Sequence, residues 1–133
     1  MKKILLPTDF SENSLKSIEY AINLFKEETV EYFLLNAYMP PQAGAAMLVS
    51  IDDILKEDSI KNLRKLHRKL SEKYNELKFE MSYESVKGTL EYGVQYMVRN
   101  YGVDLIVMGT KGASGVKEVL VGSNTAEVVR MAE

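Results

Sequence analysis

Short apolar runs alternate with stretches of helical periodicity along this chain, and that alternation constrains its fold more than any other feature. Lys3 to Pro7 carries Ile4, Leu5 and Leu6 in a row and reads as a short buried strand. From Ser11 the apolar spacing changes to Leu15, Ile18, Ile22 and Phe25, one face of a helix. Val30 to Tyr38 is a second strand, dense in Tyr, Phe and Leu. Ile51, Leu55, Leu63, Leu66, Leu70 and Tyr74 mark a longer second helix. Phe79, Met81 and Tyr83 alternate with polar residues, as in a strand near a sheet edge. Leu90, Val94, Met97 and Tyr101 form a third helix that Gly102 is placed to cap. Val103 to Met108 completes a fourth strand, and Ser123 to Ala132 reads as a fourth helix. A βαβαβαβα order predicts an α/β fold, an open parallel sheet with right-handed crossovers and helices on both faces.

The chemistry concentrates where the fourth strand ends. Met108-Gly109-Thr110-Lys111-Gly112-Ala113-Ser114-Gly115 leads on to Val121-Gly122-Ser123-Asn124-Thr125. Glycines leave backbone N–H groups uncovered, and such groups beside a helix start hold an anion, most often a phosphate. In an open parallel sheet, ligands bind at the carboxyl ends of the strands where successive crossovers diverge. With strands two and three on one side of strand one and strand four on the other, the order is 3-2-1-4. The crevice then lies between Pro7-Thr8-Asp9 and Met108-Gly109. This is no Walker loop, which needs Gly-Lys-Ser/Thr after four variable residues. Lys111 and Ser114 are weaker candidates, since a lysine on a glycine loop is usually solvated. Asp9 has two readings: it caps the first helix, or it recognises a ligand. Ser11 is the better-placed N-cap, which leaves Asp9 for the base or ribose end, since phosphates repel a carboxylate.

Composition excludes several classes. At 133 residues, 46% hydrophobic and 27% charged, the chain is expected to form one globular domain. It has no cysteine, so disulfides, thiolate catalysis and Cys-based zinc sites are ruled out. No apolar run approaches a membrane span or a signal-peptide core, and a cytoplasmic location is expected. A formal net charge of −2 gives no general pull toward nucleic acid or an anionic membrane. The basic cluster Lys61, Arg64, Lys65, Arg68 and Lys69 has acidic neighbours and no interleaved aromatics, and reads as a solvated helix face. His67, the only histidine, falls within it and reads as a helix-surface residue. Met39 to Ile51 carries no charge; a packed β–α connection and a flap or subunit patch are equally open readings.

The spacing Gly109-x2-Gly112-x9-Gly122-Ser123 resembles the ATP-binding motif of the universal stress protein family. Pro7-Thr8-Asp9-Phe10-Ser11 resembles that family's amino-terminal signature, and Leu34-Leu35-Asn36-Ala37 stands where its second strand more often ends in His-Val. The resemblance runs from Lys3 to the last residue and implies a Rossmann-like domain over residues 1–133. It implies that Pro7, Thr8 and Asp9 line an adenine and ribose pocket, with Ala37 beneath the base in place of a larger valine. Met108, Gly109 and Gly112 would lie against ribose and phosphates, and Gly122, Ser123 and Asn124 would bind phosphate oxygens. The implied cofactor is ATP, with any Mg²⁺ arriving on the phosphates. The implied role is a stress-response regulatory module. A slow ATPase, or an interaction or protective protein with a vestigial glycine loop, are the alternatives.

Members of the family normally continue into a fifth strand, and this chain is expected to lack it. That expectation makes it a fragment or one half of a tandem protein. It also leaves the fourth strand with an open edge, through which a homo-oligomer or a tandem partner would associate.

Overall fold

A computed structural model describes residues 1–40, 45–109, 117–121 and 127–131, with side chains for 1–40 and 51–109. The elements run β1 (Lys2–Pro7), α1 (Glu12–Leu24), β2 (Val30–Tyr38), α2 (Ala45–Lys73), β3 (Phe79–Lys87), α3 (Leu90–Tyr101), β4 (Leu105–Gly109), β5 (Lys117–Val121) and β6 (Glu127–Met131). They form one sheet in the order β3-β2-β1-β4-β5-β6. β1 pairs in parallel with β2 from Lys2↔Val30 to Pro7↔Leu35, and with β4 at Ile4↔Leu105 and Leu5↔Ile106. β3 continues the parallel set on the far side of β2. The expected 3-2-1-4 order is present.

Beyond β4 the sheet departs from expectation. β5 pairs antiparallel with β4, and β6 antiparallel with β5. Glu127–Met131 is a strand, where a fourth helix was expected from Ser123 to Ala132. Two adjacent β-branched residues, Val128 and Val129, suit a strand better than a helix. The free edge of β4 supplies unpaired N–H and C=O groups as a template. β5 occupies that edge, so it is not open for self-association in the way expected from a missing fifth strand.

Each face of the sheet carries its own core, because successive residues of a strand point to opposite sides. On one face α1 and α2 cover Ile4, Leu6, Tyr32 and Leu34, joined by Ile18, Ile22, Leu63 and Leu70. On the other, α3 covers Leu5, Phe33, Leu35 and Ile106 and places Met97 among them. Ile4, Leu5 and Leu6 are wholly buried, as a strand covered on both faces requires. Full burial of each such side chain contributes about 1.5–3 kcal/mol.

Caps set the helix ends. Ser11 caps α1, its hydroxyl accepting from the Ser14 N–H, and Thr89 does the same for α3 with Tyr92. Gly102 ends α3 at φ +66°, the left-handed conformation that glycine adopts without a Cβ penalty. α2 begins at Ala45, so much of the uncharged Met39–Ile51 stretch is helix and not loop.

His67 is not a solvated surface group. It is half-buried, its Nε2 lies 2.7 Å from the Met81 carbonyl oxygen, and its ring meets Tyr83 edge-on at 5.7 Å. It fastens α2 to the edge strand β3. Glu19 of α1 accepts from Lys73, the last residue of α2, and from Tyr74 just beyond it.

Tyr32 has the most displaced ionisation in this core. Burial, aided by the Glu28 carboxylate, pushes its phenol up to about 12. The neutral phenol is the folded form, so its contribution is complete below the ordinary tyrosine pKa of about 10 and is lost as pH rises toward 12. Urea unfolding of the wild type is therefore expected to weaken more steeply than that of Tyr32→Phe between those pH values. Parallel pH profiles for the two proteins would refute this assignment.

Candidate functional site

The crevice forms where the chain leaves β1 and β4. Its described lining comprises Pro7, Thr8, Asp9, Ser11, Asn13, Ser14, Asn36, Ala37, Leu90, Met108 and Gly109, around a cavity of about 390 Å³. That is within the size range of small-molecule sites, about 300–1,000 Å³. It occupies the carboxyl end of the parallel strands, with β1 between β2 and β4.

The β1–α1 turn is fixed by its own short polar side chains. The Thr8 N–H continues the ladder to the Leu35 carbonyl at 2.8 Å. The Phe10 N–H donates to Thr8 Oγ1 at 2.9 Å, and the Ser11 N–H to Asp9 Oδ1 at 3.0 Å. Ser14 Oγ donates to the Ser11 carbonyl at 2.9 Å, so Thr8 is the donor in the 2.8 Å contact between the Thr8 and Ser14 hydroxyls. Asp9 thus helps to hold the turn and does not stand apart from it, as the placement of Ser11 at the N-cap had suggested. It is exposed at the crevice and is the one ionisable residue among the described lining.

A second polar chain anchors the turn from below. Asn36 Nδ2 donates to the Thr8 carbonyl at 2.8 Å, while its Oδ1 accepts from Ser59 Oγ at 2.7 Å. That bond uses the Ser59 proton, so the Ser85 hydroxyl donates to Ser59 across 2.6 Å. The chain ties the ends of β1, β2 and β3 to α2. Asn36 is a polar residue closing an otherwise apolar run, a signal that was present in the sequence. Its partners Ser59 and Ser85 carried none, because nothing local marks them as neighbours.

The apolar part of the lining is made by Pro7, Ala37, Met108 and Leu90. Ala37 faces α3 at Gly93, where a Cβ would come within 3.3 Å of the Ala37 methyl. Two small residues therefore let the helix approach the strand beside the crevice. Gly109 is under tighter constraint: a Cβ there would lie 2.4 Å from Ser17 Oγ.

Of the sequence-derived candidates, Pro7, Thr8, Asp9, Ala37, Met108 and Gly109 converge on this one crevice. Gly112, Gly122, Ser123 and Asn124 lie outside the described residues. Sequence reasoning missed Ser11, Asn13, Ser14, Asn36 and Leu90 as lining groups; all but Asn36 depend on how a helix start is aimed. Among the described residues no group of three or more His, Cys, Asp or Glu converges, and no helix is long and apolar enough to cross a membrane.

Residues 1–133 match the family model described as the universal stress protein family. A universal stress protein of Methanocaldococcus jannaschii is 31% identical over 137 residues, spanning 98% of this chain and 77% of the relative. Among solved structures, universal stress protein UspA from Lactobacillus plantarum gives a TM-score of 0.71 at 17% identity, covering 84% of this chain and 79% of that one. A universal stress protein in complex with cAMP gives 0.63 at 19% identity, over 85% of this chain and 79% of that one. A family protein from Arabidopsis thaliana with AMP bound gives 0.58 at 14% identity, over 86% and 80%. At these identities the superpositions establish a shared fold.

Proposed function

This chain belongs to the universal stress protein family, and on that footing we propose that it is a regulatory module that binds adenine nucleotides, ATP foremost, in the crevice between β1 and β4. The observation that carries the reading is the meeting of Asp9 with the apolar wall of Pro7, Ala37 and Met108 in one cavity. A flat base suits the wall, and a carboxylate suits an exocyclic amine or a ribose hydroxyl. The complexes of related folds with cAMP and AMP support this choice of ligand. The phosphates belong to Gly112, Gly122, Ser123 and Asn124, with Mg²⁺, where present, held by phosphate oxygens and water.

Binding rather than turnover is the role the described lining favours. Asp9 is its one ionisable residue, and its carboxylate already accepts from the Ser11 N–H. The regulatory reading places the protein in the cytoplasm, with bound nucleotide biasing an assembly. Its test is equilibrium titration of the purified protein with ATP, ADP, AMP and cAMP. Saturable binding is expected, with Asp9→Ala weakening it about tenfold or more, equivalent to about 1.4 kcal/mol. Undiminished affinity in Asp9→Ala would remove Asp9 from the site, and no binding by any of the four nucleotides would overturn the function.

A further inference from the structure

A second cavity, of about 250 Å³, lies between the β1–α1 turn and α2, and shares Thr8 and Ser11 of that turn with the crevice. Asn62, Lys65, Leu66 and Lys69 share one stripe of α2, at the i, i+3, i+4 and i+7 spacing of neighbouring helix positions. Leu15 and Phe10 close it from the α1 side. The lining contains two lysines and no carboxylate, in a chain whose acidic residues outnumber its basic ones by 19 to 17. Neither lysine is held in an ion pair among the described residues. Lys69 acts on Glu19 only through its charge.

Phe10 supplies an independent observation. It is the one described non-glycine residue with positive φ, at +68°, and its large side chain is 36% exposed. A bulky residue held in the left-handed region is strained, and such strain concentrates at binding sites. The turn could have used glycine or asparagine there at lower cost. Instead it keeps an aromatic ring at the wall of a basic groove.

We propose that this groove is a second ligand site, for a small organic anion with an apolar body. The carboxylate or phosphate of the ligand faces Lys65 and Lys69, and its apolar part lies against Phe10, Leu15 and Leu66. Asn62 adds a polar side chain able to donate and accept. The volume lies below the roughly 300–1,000 Å³ typical of sites for drug-sized ligands, so the occupant is small. This groove stands apart from the nucleotide reading in the residues it uses: Phe10, Leu15, Asn62, Lys65, Leu66 and Lys69 lie outside the crevice lining, and only Thr8 and Ser11 are shared.

Phenylacetate, phenyl phosphate, 2-phenylethanol and phenethylamine make a suitable probe set, titrated into the full chain and followed by amide chemical shifts. Saturable shifts are expected for at least one of the two anions, centred on Phe10, Asn62, Lys65 and Lys69, with the alcohol and amine at least fivefold weaker. Which anion binds tighter distinguishes a carboxylate ligand from a phosphate one. Lys65→Gln/Lys69→Gln, two changes on an exposed helix face, is expected to weaken binding at least fivefold with an unchanged circular dichroism spectrum. Phe10→Asn, which suits the same backbone, is expected to do likewise. Equal affinity for the alcohol, shifts confined to the β1–β4 crevice, no saturable shift with either anion, or full affinity in the double variant would each overturn the proposal.

Discussion

Gly109→Ala is expected to destabilise the fold by about 1–3 kcal/mol and to weaken adenine-nucleotide binding at least tenfold, and Ser17→Ala in the same chain is expected to restore most of the lost stability. The last residue of β4 passes so close to α1 that an added methyl would sit 2.4 Å from Ser17 Oγ. That hydroxyl is buried and donates to the Asn13 carbonyl at 3.1 Å. Rotating it away leaves a buried polar group without its partner, which costs about 1–3 kcal/mol. Moving the strand instead widens the crevice at the point where β1 and β4 must hold a ligand between them. Removing the hydroxyl relieves the collision, because the remaining neighbours, the Asn13 oxygen and Ser17 Cβ, lie at 3.5 and 3.6 Å, in ordinary contact. A double-mutant cycle by urea unfolding reads the coupling directly. Additive losses for the two changes would show that Ser17 is not what Gly109 avoids.

Met97→Ala is expected to cost about 2–5 kcal/mol, toward the upper end for a single core truncation. Two helices share the face that holds Leu63 and Leu70, whereas α3 alone covers the other among the described elements. Met97 is fully buried at the centre of that second cluster, among Leu5, Phe33, Leu35 and Ile106. With one helix seated on the sheet, few neighbours can shift to fill the space, and the cavity term stays large. Chemical denaturation gives the loss. Native-state hydrogen exchange should then show α3 amides opening at lower free energy than those of β1 and β2. A loss below 1 kcal/mol would mean that α3 is held by contacts other than Met97.

Much of this arrangement was legible from local pattern. The run at Leu5 and its neighbours, the cap at Ser11 and the stop at Gly102 are each written within a few residues, and the structure places them as read. The order of the first four strands followed from placing the switch point at strand one, with strands two and three on one side and strand four on the other, and the sheet has it. What escaped was either weakly periodic or long-range. β5, which fell within the stretch read as a glycine loop, and β6, read as helix, are five residues each, too short for alternation to mark them; β5 pairs on the edge that β4 offers, and β6 on β5. The start of α2 at Ala45 was obscured by Pro40 and Pro41 just before it. At the site, Gly109 was legible as a glycine but not as a partner of Ser17. Asn36 likewise closed a strand in plain view, while the Ser59 and Ser85 hydroxyls that orient it lie more than twenty residues away. His67 took its partner from Met81, a residue on another element.

The position of β1 in the sheet bears on how the protein is made. Its partner β2 follows after one helix and β3 after the next, so that side of the sheet pairs between successive strands. The other side of β1 waits for β4, and Ile4 meets Leu105 only after about a hundred intervening residues have been synthesised. Contacts of such separation form late, because the entropy of closing the loop opposes them until nearby structure is in place. Until then, one flank of a strand that carries Ile4, Leu5 and Leu6 in a row stays unpaired in the nascent chain, where strand edges invite misassembly. The crevice is then the last part of the parallel sheet to come into being.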